Sequence, residues 1–322
     1  MVNATERPAS WKILLAFGII YFVWGSTFLA IRVGVHEVPP LLLAGLRFAI
    51  AGGVMFIWML ARGVPAPTHR QWAGASLLAA LIFVLDYGCL FWAEQRVPSG
   101  IAAVILATIP VCITLLEILI LRTQRLSVRL GAALLVGVGG VAVLMNRSLA
   151  GGEVPIDRGG AAAILLASFT WSLATVLTKK FPLPESKAMS SAVQMLSGGL
   201  QLFVVAALFG EYSGFHAGAV SLKAWGALLY LIVAGSIIGF TAYVWLLHYE
   251  SPTKVGTYAY VNPVVAVVIG YFLGGEAIGP RTLLGTFLIL ISVVAITTMR
   301  SRQKPAPAAE RRPVATPALE SK

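Results

Sequence analysis

Apolar runs of about twenty residues, each closed by a short polar stretch, follow one another from residue 12 to residue 299. A helix crossing the ~30 Å hydrocarbon core of a bilayer needs about 20 such residues. That template predicts ten spanning helices, at about 12–32, 39–61, 72–92, 97–121, 129–146, 159–178, 188–209, 223–247, 253–274 and 281–299. The first run, Ile13 to Ile31, is too long for the apolar core of a signal peptide and ends at Arg32 without a small-residue cleavage site. It reads as a retained span. Short connections predict one bundle of antiparallel neighbours. The longest, RSLAGGEVPIDR at 147–158, carries Gly, Pro and charge and divides the chain. The predicted organisation is a cytoplasmic segment 1–11, a first unit of five spans 12–146, a linker 147–158, a second unit of five spans 159–299, and a Pro/Ala-rich disordered tail 300–322.

The two units match each other. A shift of 147 residues carries Trp24 onto Trp171, Arg47 onto Gln194 and Gly52 onto Gly199. A shift of 154 carries Pro98 onto Pro252 and Gly131 onto Gly285, while Pro110 and Pro263 lie 153 apart. Five spans is an odd number, so the second unit enters the membrane from the opposite side. The predicted fold is therefore an all-α polytopic membrane protein of ten transmembrane helices in two inverted five-helix repeats, an architecture of secondary transporters. Within it, LATIPVCI (106–113) and YAYVNPVVAV (258–267) place Pro110 and Pro263 inside apolar runs. Each proline removes one backbone N–H and frees a carbonyl four residues back, which oil cannot satisfy. Two matched breaks opening on one wet cavity at mid-depth is one reading, and kinks satisfied by neighbouring helices the other.

Composition agrees. The chain is 58% hydrophobic and 11% charged, against about a quarter charged in soluble domains. Its net charge of +11 comes from Lys and Arg in short loops and the tail, with no aromatic-interleaved basic patch, which argues against nucleic acid. With the N-terminus inside, 17 Lys and Arg fall on the inner side and 6 on the outer. The expectation is a bacterial inner-membrane protein with both termini cytoplasmic. Cys89 and Cys112 sit in apolar runs and suggest no disulfide. No metal-ligand spacing and no phosphate-binding loop occurs, so neither metal nor cofactor is expected.

WGSTF (24–28), PPLLLAGLRF (39–48), VPSGIAA (97–103) and YAYVNPVVAV followed by GGE (274–276) resemble the EamA-domain proteins. These form the drug/metabolite exporter branch of the drug/metabolite transporter superfamily, and the YedA-like inner-membrane members are the nearest in appearance. The resemblance covers about residues 12–299. It implies ten spans, cytoplasmic termini, a central cavity between inverted repeats, and export of small metabolites, amino acids or drugs without ATP. One departure is that the region equivalent to Glu276 in the first half, LRTQRLS (121–127), carries no acid.

Arg47 is the sharpest single residue. An arginine at the middle of a span costs about 2.5–3.5 kcal/mol on insertion scales, so it must face protein or water. It can bind a substrate carboxylate, or it can cap carbonyls and lock the fold. Asp86 and Glu117 are the intramembrane acids and the candidates for proton coupling. Trp24, Thr27, Tyr87, Trp171, Thr175, Tyr243, Tyr258, Tyr260 and Asn262 supply the aromatic walls and sparse polar groups of a small-molecule pocket. The partners expected are a small-molecule substrate and the lipid bilayer, with protons the candidate coupling ion and a monomer sufficient for transport. A membrane receptor or scaffold, and an intramembrane enzyme, are the competing classes. No Ser/His/Asp set or deep histidine supports the enzyme.

Overall fold

The computed structural model describes residues 8–119, 127–146, 156–250, 255 and 257–302. Among these, seven helices are long and apolar enough to cross a membrane and three are shorter and apolar. In chain order they are α1 Ser10–Val35, α2 Pro40–Ala61 and α3 His69–Glu94; α4, in two segments, Ser99–Leu106 and Ile109–Leu119; α5 Val128–Met145, α6 Arg158–Leu177 and α7 Lys187–Leu208; α8, made of Leu222–Tyr230, Leu231–Ile238 and Gly239–Tyr249; α9 Tyr258–Gly274 and α10 Pro280–Arg302. The starts follow local chemistry. Thr68, Ser127, Asp157, Ser186 and Ser221 each accept a hydrogen bond from the backbone N–H three residues on, satisfying a donor that the helix leaves free.

The helices pair across the two halves. α2 packs on α7, α5 on α10, α4 on α9, α6 on α3, and α8 on α1. Exchanging each helix with the one five places along maps this set of pairs onto itself. Local detail repeats as well. α2 and α7 begin and end 147 residues apart, and each closes on a left-handed glycine, Gly63 (φ 76°) and Gly210 (φ 71°), the conformation glycine adopts without strain at a helix C-terminus. α3 and α8 each contain an eight-residue π-helical stretch, Ala80–Tyr87 and Leu231–Ile238.

α2 and α7 cross at glycines. A Cβ on Gly52 would stand 2.4 Å from the Leu196 nitrogen, and one on Gly199 would stand 2.3 Å from the Ala49 nitrogen. The contacts run antiparallel, with Gly45 opposite Phe203 and Gly52 opposite Ala192 and Leu196. α5 and α10 meet in the same manner, Gly140 against Ile289 and Gly285 against Leu144. Small residues let helix backbones approach in lipid, where packing rather than hydrophobicity drives association.

The two prolines differ from the expectation of matched breaks. α4 stops at Leu106, turns at Ala107–Thr108 and resumes at Ile109, so Pro110 sits in the first turn of a new segment, where its missing N–H removes no helical bond. Pro263 instead lies inside a continuous α9, five residues after its first residue Tyr258. It removes one bond near the helix start and does not interrupt the helix. The linker at 147–155, the 300–322 tail beyond Arg302 and the Glu117 side chain lie outside the described residues.

Candidate functional site

Three π-helical stretches converge at mid-depth: Ile19–Val23 in α1, Ala80–Tyr87 in α3 and Leu231–Ile238 in α8. A π stretch shifts the backbone ladder by one residue and recurs at functional sites. Here the α8 stretch presents the Gly235 carbonyl to Trp24 Nε1 at 3.0 Å and the Ser236 hydroxyl to Arg47 Nε at 3.0 Å. Trp24 follows directly on the α1 stretch, while Asp86 and Tyr87 belong to the α3 stretch.

Arg47 is buried, at 3% exposure. Its guanidinium carbon lies 4.7 Å from the centroid of the Phe48 ring and 5.5 Å from that of Tyr87. Ser236 is its hydrogen-bond partner, and its Nη1 has no partner among the described residues. No carboxylate forms an ion pair with it among those residues, so neither Asp86 nor any other described acid neutralises it. Thr27 is buried beside it, its hydroxyl donating to the Trp24 carbonyl at 2.6 Å. Gly235 must be glycine for this packing: a Cβ there would stand 2.9 Å from Thr27 Cγ2 and 3.2 Å from Arg47 Nη2.

Two aromatic groups flank the arginine. Trp24, Tyr243 and Tyr258 form one, with Trp24 edge-on to Tyr258 at 5.0 Å and tilted to Tyr243 at 5.4 Å. Tyr87 joins Phe48 at 4.6 Å and Trp171 at 6.2 Å in the other. Asn262 is buried between the first group and α1. With its amide oriented as its neighbours require, its nitrogen donates to the carbonyls of Tyr21 at 3.1 Å and Tyr258 at 3.2 Å. Tyr260 is half-buried on α9 against the main core. Thr175 is exposed and bonds its own helix at the Trp171 carbonyl, 2.9 Å away. Asp86 is 2% exposed, and its Oδ1 has no partner among the described residues.

A second set of residues closes the end of the bundle where α1 finishes, here the far end. Glu276 accepts from the Ser99 N–H at 2.7 Å, the Ser99 hydroxyl at 2.6 Å and the Gly100 N–H at 3.0 Å, capping α4. Glu211 accepts from Leu41 N–H at 3.2 Å and Leu42 N–H at 2.9 Å, capping α2. Glu37 accepts from the Ser221 N–H at 2.6 Å and hydroxyl at 2.7 Å, capping α8. Each carboxylate belongs to one half and each capped helix to the other. A carboxylate on free N–H groups at a helix start is charge-assisted and favoured by the helix dipole. The Ser221 bonds hold Glu37 below the usual carboxylate value, whereas burial pushes Glu211 above it against the pull of the Leu42 and Leu41 N–H groups. Arg32 Nε lies 3.5 Å from Glu276 Oε1, and Arg32 Nη1 donates to the Val97 carbonyl at 2.5 Å. Glu94, beside them, is fully buried, and neither of its carboxylate oxygens has a partner among the described residues.

The sequence pattern does not reveal the buried state of Glu94, the clamping role of Glu276, Glu211 and Glu37, or Ser236. The clamp partners are 169 to 184 residues apart in the chain. Most of the donors are backbone N–H groups, which leave no complementary side chain to find.

At the opposite, near end, a cleft of about 550 Å³ opens between α1, α2 and α8, lined by Trp11, Ile19, Val54, Trp58, Ile237 and Trp245 among others. Its inner residues Ile19 and Ile237 lie five residues before Trp24 and next to Ser236.

The sequence model of the EamA-like transporter family matches residues 10–146 and again 158–298. The inner membrane transporter YedA of Escherichia coli strain K12 is 35% identical over 291 residues, 89% of this chain and 92% of that protein. The transporter YoaV of Bacillus subtilis strain 168 is 24% identical over 297 residues, 91% of this chain and 99% of its own. A solved crystal structure 22% identical in sequence shares the fold, with a TM-score of 0.60 over 92% of this chain and 100% of its own.

Proposed function

The chain belongs to the EamA-like transporter family, and we propose that it is a secondary transporter of the inner membrane that exports small organic metabolites, amino acids or drugs by alternating access. In this reading residues 12–146 and 159–299 are inverted repeats, both termini are cytoplasmic, and one chain holds the whole path. The antiparallel α2–α7 and α5–α10 crossings, and the map of helix pairs onto itself, support the inverted arrangement. The far end, clamped by Glu37, Glu211 and Glu276, is the closed side. The near end is the open one.

The observation that carries the reading is Arg47: a buried guanidinium held at mid-depth by a hydroxyl and two ring faces, with a free Nη1. A charge so placed is costly until an anion meets it. The transported solute then carries a carboxylate or similar anionic group that docks on Arg47, with its organic body against Trp24, Tyr87, Trp171, Tyr243 and Tyr258. Asn262, Tyr260, Thr27 and Thr175 complete the path, and Asp86 or Glu117 carries the coupling proton.

The test is counterflow in proteoliposomes against amino acids, organic acids, nucleosides and cationic dyes. Carboxylate-bearing solutes exchange, and Arg47→Gln lowers their exchange at least tenfold while Arg47→Lys retains part of it. Glutamine occupies the matching position in the second half, Gln194. Equal exchange of cationic dyes by the wild-type protein and Arg47→Gln, with none of carboxylates, overturns the assignment.

A further inference from the structure

The lining of the near-end cleft includes none of the residues assigned to the transport site. Its walls are almost wholly apolar, and none of its lining residues is acidic. Its mouth carries two cations. Lys12 lines it, with Nζ 5.7 Å from the centroid of the Trp11 ring, and Arg62 lies 5.4 Å from the centroid of Trp58, a second lining residue. Trp11 and Trp58 are exposed. Tryptophan with Lys or Arg at one level is the chemistry of the membrane–water interface. The cleft below runs inward to Ile19, Val54 and Ile237.

We infer that this cleft is a binding site for an anionic phospholipid of the adjacent leaflet, one acyl chain filling the apolar channel and the head-group phosphate resting between Lys12 and Arg62. The volume, about 550 Å³, is that of an organic ligand site. An apolar wall with two cations and no acid at its mouth complements an anionic amphiphile, whereas a zwitterionic head group meets those cations with its own cation nearby. α1 and α2 belong to the first half and α8 to the second, so the chain lies between the parts that alternating access moves. Each Lys or Arg near an anionic membrane surface contributes about 1 kcal/mol, a factor of about 5 in affinity.

Three of the eight tryptophans, Trp11, Trp58 and Trp245, line the cleft, which gives a direct optical assay. The full chain in detergent micelles is titrated with phosphatidylglycerol bearing brominated acyl chains, and quenching of tryptophan fluorescence is followed. Quenching by phosphatidylglycerol saturates, and phosphatidylcholine with the same chains binds at least tenfold more weakly. Lys12→Gln and Arg62→Gln each weaken phosphatidylglycerol about fivefold and leave phosphatidylcholine unchanged. Trp11→Phe, Trp58→Phe and Trp245→Phe together remove the saturable component. Equal midpoints for the two phospholipids, or a saturable component that survives the triple substitution, overturns the inference. Tighter binding of a brominated free fatty acid than of phosphatidylglycerol overturns the assignment to a phospholipid. None of these readouts depends on transport or on Arg47.

Discussion

Alanine at Gly52 and at Gly53, adjacent residues of one helix, has opposite effects on stability. A Cβ at Gly52 would stand 2.4 Å from the Leu196 nitrogen and 2.9 Å from the Ala192 carbonyl oxygen, whereas one at Gly53 meets nothing within 4 Å. Both atoms near Gly52 are backbone, so no rotamer relieves the clash. To reach an ordinary contact of 3.4 Å, α2 and α7 must part by about 1 Å, which opens the packing along the whole crossing. Overpacking of this kind costs about 1–3 kcal/mol. Replacing a helix-interior glycine by alanine returns about 0.5–1 kcal/mol. Gly52→Ala is therefore expected to lose up to about 2.5 kcal/mol, and Gly53→Ala to gain up to about 1. Gly199→Ala repeats the loss from the other side, because its Cβ would meet the Ala49 nitrogen at 2.3 Å. The double variant costs less than the sum, since helices already parted for one methyl admit the second. Reversible unfolding in mixed micelles with increasing dodecyl sulfate measures all four. If Gly52→Ala matches or exceeds Gly53→Ala in stability, the two helices do not approach as described.

Two further outcomes concern the far-end clamps. Glu276→Ala removes the acceptor of the Ser99 N–H, Ser99 hydroxyl and Gly100 N–H, and is expected to lower stability by about 1.5–3 kcal/mol, Glu276→Gln by less, because one oxygen still accepts. Amide exchange at Ser99 and Gly100 rises in parallel, and unchanged exchange there refutes the clamp. Glu37 titrates below the usual 4.5 because of its Ser221 bonds. A depressed carboxylate contributes stability that is present above the ordinary value and is lost as pH falls through the lower, folded-state value. Protection of the Ser221 amide should therefore hold down to about pH 4.5 and fall below it, and Glu37→Gln should remove that dependence. Loss of protection that is complete by pH 5.5 contradicts the assignment.

Which parts of this molecule the sequence announces follows from the range of the interaction. Helix positions follow from apolar runs, and the starts at Thr68, Asp157 and Ser221 from capping side chains within three residues. The Gly52–Gly199 match was legible because a close crossing demands the same residue on both helices. Pro110 marks an interruption, but the pattern could not tell it from Pro263: the distance from each proline to its own helix start decides the outcome, and an unbroken apolar run hides where α9 begins. The π stretches left no signal either, since ALIFVLDY and LIVAGSII read as ordinary apolar helix. Arg47, Trp24 and Asn262 stood out by type. Ser236 and the Gly235 carbonyl, which hold two of them, did not, because a serine and a glycine in a membrane helix are unremarkable until a partner arrives from the other half.

The duplication is kept where the chain packs and broken where it carries charge. Gly52 has Gly199, and Gly63 has Gly210, each at the 147-residue shift. Arg47 has the neutral Gln194. At the same shift Glu211 falls on Val64, and at the 154-residue shift Glu276 falls on Arg122. In a perfectly symmetric inverted repeat, exchanging the halves would convert a structure closed at the far end into one closed at the near end at equal free energy. Two of the three far-end clamps have no acid at the equivalent near-end position, so the exchange is not neutral. Either of these two clamps exchanged for water is worth about 1.5–3 kcal/mol, and every 1.4 kcal/mol is a tenfold change in population. On the proposed alternating-access reading, the clamps bias the empty protein toward the far-end-closed form, with the aromatic groups around Arg47 on the open side. A solute can reverse that bias only through contacts it makes better in the other form. Arg47, which lacks a counter-charge among the described residues, is the group that has the most to gain from such a contact.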